Sequence, residues 1–221
     1  MLEEKWASPE DFATLFQYFW YRDFPMDQKS VGALRVDWTI HIGIVVRNIA
    51  DLMGLVTRFE RGGRKDAILR STDGDEVAIE WEWSDIRRWI NASSNELQKL
   101  KDHKVWSAVT GKERLLRYAV LVTYTHSRIH TPDREKLYNQ VIEKWEEIDT
   151  DSGLFPAKWP LLLILIEVEK SRLPMRREFK NIQMSIFNKG EEVKCRELRS
   201  APAFPWEVPG TRWSYMMNKV E

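Results

Sequence analysis

Cysteine is almost missing from this chain. Cys195 is the only one in 221 residues, which excludes an internal disulfide and points to a reducing compartment. Net charge is missing too: 34 basic residues balance 34 acidic ones. No overall field therefore draws in nucleic acid or a membrane surface, although an acidic site with local basic patches stays open. Long apolar runs are absent, and the longest, Pro160 to Ile166, is far too short to cross a bilayer. The opening residues, MLEEKWASPED, lack the apolar core of a signal peptide. There is no internal repeat and no low-complexity segment. These absences lead to the expectation of a soluble, cytoplasmic protein with no membrane partner, built as a single domain over residues 1–221.

Familiar catalytic signatures are scarce as well. His126 and His130 are four apart, but no thiol or third histidine accompanies them, so a zinc site is disfavoured. Gly111-Lys112 is followed by glutamate, and no glycine lies five residues earlier, which rules out a phosphate-cradling loop. Cys195 has only distant histidines and gives no warrant for a thiol nucleophile.

What the chain does have is tryptophan, 11 in all, most of which should be core or lining. Ser8-Pro9-Glu10-Asp11 opens a helix over about 9–21, with the Ser8 hydroxyl as cap and Phe12, Leu15, Phe16, Phe19 and Trp20 on one face. A second helix covers about 35–55 and is apolar nearly all round, so burial is expected. Asp37, His41, Asn48 and Asp51 fall within roughly 80° of one another on it, a polar stripe that needs partners. Leu55 to Arg61 reads as a strand. After Trp83, Ser84 is placed to cap a short helix, and Ser93 to Glu96 forms a capping box before another. Arg114 to His126 contains a compact apolar strand, Thr131 starts a helix, and Leu161 to Glu167 has the continuous apolar character of a central strand. A basic segment follows, then a hairpin around Asn188-Lys189-Gly190, then a proline-rich tail. The core is set at about 35–169, with a helical lead over 1–34 and a C-terminal part over 170–221.

Residues 62–84, GGRKDAILRSTDGDEVAIEWEWS, organise the rest. Lys65 to Ser71 and Val77 to Trp83 both alternate, and Thr72 to Glu76 between them has turn chemistry. A five-residue loop over Thr72–Glu76 would set Asp66 opposite Glu82, with Glu80 as its diagonal neighbour on the same face. Three carboxylates on one face repel unless a cation sits among them, and a divalent metal is the usual answer. Glu167 and Glu169, with Asp151 upstream, form a weaker rival.

A helix, three strands, a helix, a strand, a helix and a strand, with Asp66 on the second strand and Glu80-Trp81-Glu82 on the third, resembles the restriction-endonuclease-like, PD-(D/E)xK nuclease superfamily. The resemblance covers about residues 35 to 169. It implies an α/β (α+β) three-layer sandwich with a mixed central sheet, Mg²⁺ or Mn²⁺ as cofactor, and phosphodiester hydrolysis in nucleic acid, with DNA the expected substrate. A homodimer is among the expectations, since many nucleases of this type cut both strands as dimers. By position, Asp66, Glu80 and the backbone carbonyl of Trp81 would hold the metal, with Asp51 or Asp37 on the preceding helix assisting. Lys65 stands where proline is usual. Glu82 stands where lysine is usual, as in some restriction endonucleases, which leaves the general base open. Glu82 either ligates a second ion or accepts a proton, while Lys65 or Arg64 contacts the scissile phosphate. Arg87, Arg88 and the cluster holding Arg172, Arg176 and Arg177 are the expected phosphate contacts. The competing reading is an ordinary strand with solvated acids, in a non-catalytic binding or regulatory module of the same fold.

Overall fold

A computed structural model describes residues 8–22, 33–61, 65–92, 95–126, 131–146, 159–170, 175–188 and 191–199. The chain begins with helix α1 (Pro9–Arg22), where Ser8 Oγ accepts from the Asp11 amide at 3.1 Å as a capping hydroxyl should. Helix α2 (Arg35–Leu52) follows, then strands β1 (Val56–Arg61), β2 (Lys65–Ser71) and β3 (Gly74–Asp85). Two short helices, α3 (Ile86–Trp89) and α4 (Glu96–Lys101), lead to a two-stranded clasp of β4 (Val105–Trp106) and β5 (Glu113–Arg114). Strand β6 (Tyr118–Thr125), helix α5 (Thr131–Glu146) and strands β7 (Leu161–Lys170), β8 (Arg177–Asn188) and β9 (Glu191–Arg199) complete it.

Seven strands form one mixed sheet in the order β1-β2-β3-β6-β7-β8-β9. β3, β6 and β7 run parallel, and their neighbours are antiparallel. Parallel strands need crossovers, and here α3–α4 and α5 supply them. The fully buried runs of β6 and of Leu161 to Ile166 are what central strands covered on both faces require. The C-terminal hairpin β8–β9 extends this same sheet, so the sheet continues beyond the expected core boundary at 169.

Alternation sorts the side chains into two layers. On one face Ala67, Leu69, Val77, Ile79, Val120 and Val122 pack beneath α1 and α2. There Trp20 stacks on Trp38 with ring centres 5.7 Å apart, and Trp83 packs on Tyr124 at 4.7 Å. On the other face Ile68, Ala78, Leu121 and Leu163 pack against Ile86, Leu97 and Leu100 of α3–α4 and against Leu137, Val141 and Trp145 of α5. The protein is a mixed α+β fold with helices on both faces of the sheet. Among the described residues, no helix is long and apolar enough to cross a membrane.

Several local expectations change. The β2–β3 turn is tighter than a five-residue loop: Ser71 pairs with Gly74, and a bulge between Leu69 and Arg70 absorbs the extra residue. Gly74 makes this possible, with φ at +131° and a position where a Cβ would sit 2.8 Å from the Trp106 carbonyl. Asp85, not Ser84, caps α3, and Asn95 caps α4 through the Gln98 amide at 3.0 Å. Ser93 lies outside the described residues. Helix α2 is not buried all round, since Val36, Ile40 and Ile44 are exposed.

Behind the turn, Glu76 is buried and accepts from the Ser71 hydroxyl, from Arg114 Nη2 at 3.0 Å and from Arg117 Nε at 2.7 Å. Burial works to raise its pKa, but these three donors outweigh it and hold the carboxyl below its usual range. Its contribution to stability is therefore present above the ordinary carboxylate pKa and lost as acid protonates it. Glu76→Ala strands two guanidinium groups and should cost about 2–4 kcal/mol in urea unfolding at neutral pH. An unchanged midpoint would show that the network contributes nothing.

Candidate acidic site on the hairpin

The β2–β3 ladder stops at the Ala67–Ile79 pair. One step further, the Asp66 side chain takes over, and its Oδ2 accepts from the Trp81 amide at 2.7 Å. This capture of a backbone donor fixes the half-buried carboxylate against β3. Asp66 now falls opposite Glu80, not Glu82. The register differs from the expected one by two residues, so both acids keep the expected face.

Glu80 is the centre of the arrangement. It is fully buried, and among the described residues neither of its carboxyl oxygens meets a hydrogen-bond donor. Helix α4 is pinned to the same face of the sheet by Leu97 and Leu100, and this carries Glu96 and Lys99 over Glu80. Lys99 Nζ lies 2.5 Å from Glu96 Oε2 and 3.9 Å from Glu80 Oε2. The Glu96 and Asp66 carboxyls both act on Glu80, and carboxylates crowded in this way repel unless a proton or cation sits among them.

The electrostatics follow from this crowding. Burial first, then the Glu96 and Asp66 carboxyls, push Glu80 up to about 9. Burial also raises Asp66, partly offset by the Trp81 amide. Lys65 is buried as well, and burial pulls its ammonium pKa down, with Glu80 the strongest charge opposing that shift. For Lys99, burial works against the ammonium, but the Glu96 hydrogen bond and the Glu80 charge prevail and raise it. Asp66, Glu80 and Glu96 thus share Lys65 and Lys99, with Asp102 also acting on Lys65, and a proton held on Glu80 reduces the excess of negative charge.

Other expected site residues stand elsewhere. The Glu82 carboxylate turns back to accept from the Ser84 amide at 2.6 Å, so Glu96 takes the third place expected of it. Asp51 is exposed on α2, which covers the opposite face of the sheet from Glu80. Asp37, on the same helix, accepts from the Leu34 amide at its amino end, while His41 is buried against the Trp20 ring. The polar stripe of α2 therefore does not reach the acidic cluster. Trp81 is tied to Asp66 through its amide; its indole packs edge-on to Phe59 on the other face. Arg87 grips Asp85 with two nitrogens. Arg88 is exposed, and Arg176 and Arg177 lie half-buried at the start of β8. Arg64, Arg172 and Asp151 lie outside the described residues. Glu169 pairs with Lys180 at 3.7 Å, and its strand is joined to β6 in parallel, not through a hairpin.

Sequence reasoning missed Glu96 and Lys99. Their i,i+3 spacing is that of an ordinary surface ion pair, and the signal that distinguishes them is the apolar Leu97 and Leu100 between and beyond them.

Among the described residues, no group of three or more histidine, cysteine, aspartate or glutamate side chains is arranged to hold a metal ion. A hard divalent cation asks for less: one or two carboxylates, with carbonyl and water oxygens completing its shell. The oxygen-only donor set of Asp66 and Glu80, with both Glu80 oxygens lacking donors, fits that demand.

Because the folded state holds the Glu80 proton more tightly than the unfolded chain, its stabilising contribution is full below about 4.5 and is lost as pH rises toward about 9. Glu80→Gln keeps the shape and removes the titration. It should come close to the wild type near about pH 5 and exceed it by several kcal/mol near about pH 9 in denaturant melts. An equal difference at both pH values would mean that Glu80 is ionised throughout.

No family model, no curated protein and no solved structure matches this chain.

Proposed function

We propose that the protein is a metal-dependent nuclease, hydrolysing phosphodiester bonds in DNA through the Asp66–Glu80 cluster. The observation that carries this reading is Glu80: a fully buried carboxyl without a donor, beside two more carboxyls and two lysines. A stable protein has little reason to bury such a group unless a ligand uses it. The element order supports the resemblance to the PD-(D/E)xK superfamily, with Asp66 on the second strand and Glu80 on the third of a mixed sheet.

In this reading Asp66 and Glu80 hold Mg²⁺ or Mn²⁺. When bound, a divalent cation supplies charge neutralisation at the phosphodiester and activation of the attacking water. The Trp81 amide keeps the Asp66 carboxylate in place. Lys99, oriented by Glu96, brings a cation from α4 to the position that Glu82 leaves without one, where it stabilises charge building on the phosphate. Lys65 neutralises Glu80 from the other strand. Arg88, Arg176 and Arg177 are the candidate contacts to the nucleic-acid backbone.

A non-catalytic module of the same fold is the second reading. It draws on the absence of a three-acid metal group among the described residues and on the engagement of Glu82 with its own backbone.

Incubation of plasmid DNA with Mg²⁺ or Mn²⁺ separates the two. The nuclease reading expects cleavage that falls at least about 100-fold in Asp66→Asn or Glu80→Gln and about 10- to 100-fold in Lys99→Ala. It also expects metal to raise the melting temperature of the wild type but not of Glu80→Gln. Cleavage that survives Glu80→Gln would reject the site. Absence of both cleavage and metal stabilisation would favour the non-catalytic module.

A further inference from the structure

Helix α2 buries Trp38, Ile42, Val45, Val46 and Ile49 against the sheet. Its opposite side carries Val36, Ile40 and Ile44, which are 55%, 56% and 45% exposed. Spaced four apart, they form one apolar row that continues into Arg47 and Asp51. Gly43 lies at the middle of the helix beside Phe59, whose ring would stand 3.9 Å from an added Cβ.

The charges at the two ends of this row fit one kind of partner. Asp51 sits in the last turn of α2, where its own helix dipole disfavours a carboxylate and no basic residue compensates. Arg35 begins the same helix, and among the described residues neither Arg35 nor Asp51 has a side-chain partner. A second α2 laid antiparallel across Gly43 resolves both. It places the partner's Asp51 at the amino end of this helix, beside Arg35 and the positive end of its dipole. Ile44 meets the partner's Ile44 at the two-fold axis, and the aliphatic stem of the partner's Arg47 covers Ile40. The contact is self-complementary, as a two-fold interface must be.

We infer that the exposed face of α2 is a homodimer interface, two copies packing α2 antiparallel about Gly43 with Arg35 of each chain paired to Asp51 of the other. The inference stands apart from the chemistry of the acidic cluster, since α2 lies on the other face of the sheet.

Sedimentation equilibrium on the full chain tests it. The wild type should be a dimer at about 10 µM, and Ile40→Glu with Ile44→Glu should raise the dissociation constant at least about 100-fold. Thermal melts would confirm that this outward-facing variant still folds. Asp51→Arg alone should weaken association about 10-fold, and adding Arg35→Glu should restore it. A monomeric wild type would overturn the interface, including a monomer whose α2 row is shielded from hydroxyl-radical labelling by its own chain. So would a doubly substituted variant that stays dimeric. Failure of the charge exchange to restore association would overturn the antiparallel pairing.

Discussion

Taking a carboxylate out of water costs several kcal/mol unless a donor, a counter-ion or a proton replaces the lost hydration, and Glu80 is where this protein meets that constraint. The residue points into the layer between the sheet and α4, and among the described residues neither oxygen has a donor. Everything nearby answers to it. Lys65 is buried beside it, Lys99 reaches to 3.9 Å from it, and Glu96 and Asp66 crowd it until its pKa stands near 9. A proton held at neutral pH is the least costly solution while nothing else is bound.

The sheet makes such a site possible. The three parallel strands are apolar enough to be covered on both faces, so the helices divide into two layers, α1–α2 and α3–α5. The layer above Glu80 is built from short helices, which are held by a few apolar anchors and display polar groups between them. At the far end of β3, Glu76 is satisfied by three donors and its pKa moves downward. The same residue type four positions further on is left without donors and moves upward. Two buried glutamates on one strand thus shift in opposite directions, one ionised and holding the turn in place, the other favouring its proton.

Much of this could be read from the residues alone, and the parts that could not have physical causes. The alternation through Val77–Trp83 says which residues share a face, and a two-residue change of register leaves that intact because the period of a strand is two. Turn length was not legible, since every residue from Thr72 to Glu76 suits a turn; the close approach of Trp106 to Gly74 selects the tight form. The angular position of Asp51 on α2 was legible, but helical periodicity does not say which side of the sheet a helix will cover. Glu96 and Lys99 were hidden for a related reason: only packing of Leu97 and Leu100 converts a surface-like ion pair into part of a buried cluster. Glu82 keeps the right face, yet the local Ser84 amide captures its carboxylate before the cluster can.

The protonation state of Glu80 is the claim on which the rest turns, and infrared difference spectroscopy reads it directly. At neutral pH without divalent cations, the protein should show the carbonyl stretch of a protonated carboxylic acid. That band should be missing from Glu80→Gln and should disappear from the wild type when Mg²⁺ or Mn²⁺ is added. A wild-type spectrum without the band, identical with and without the cation, would contradict the account.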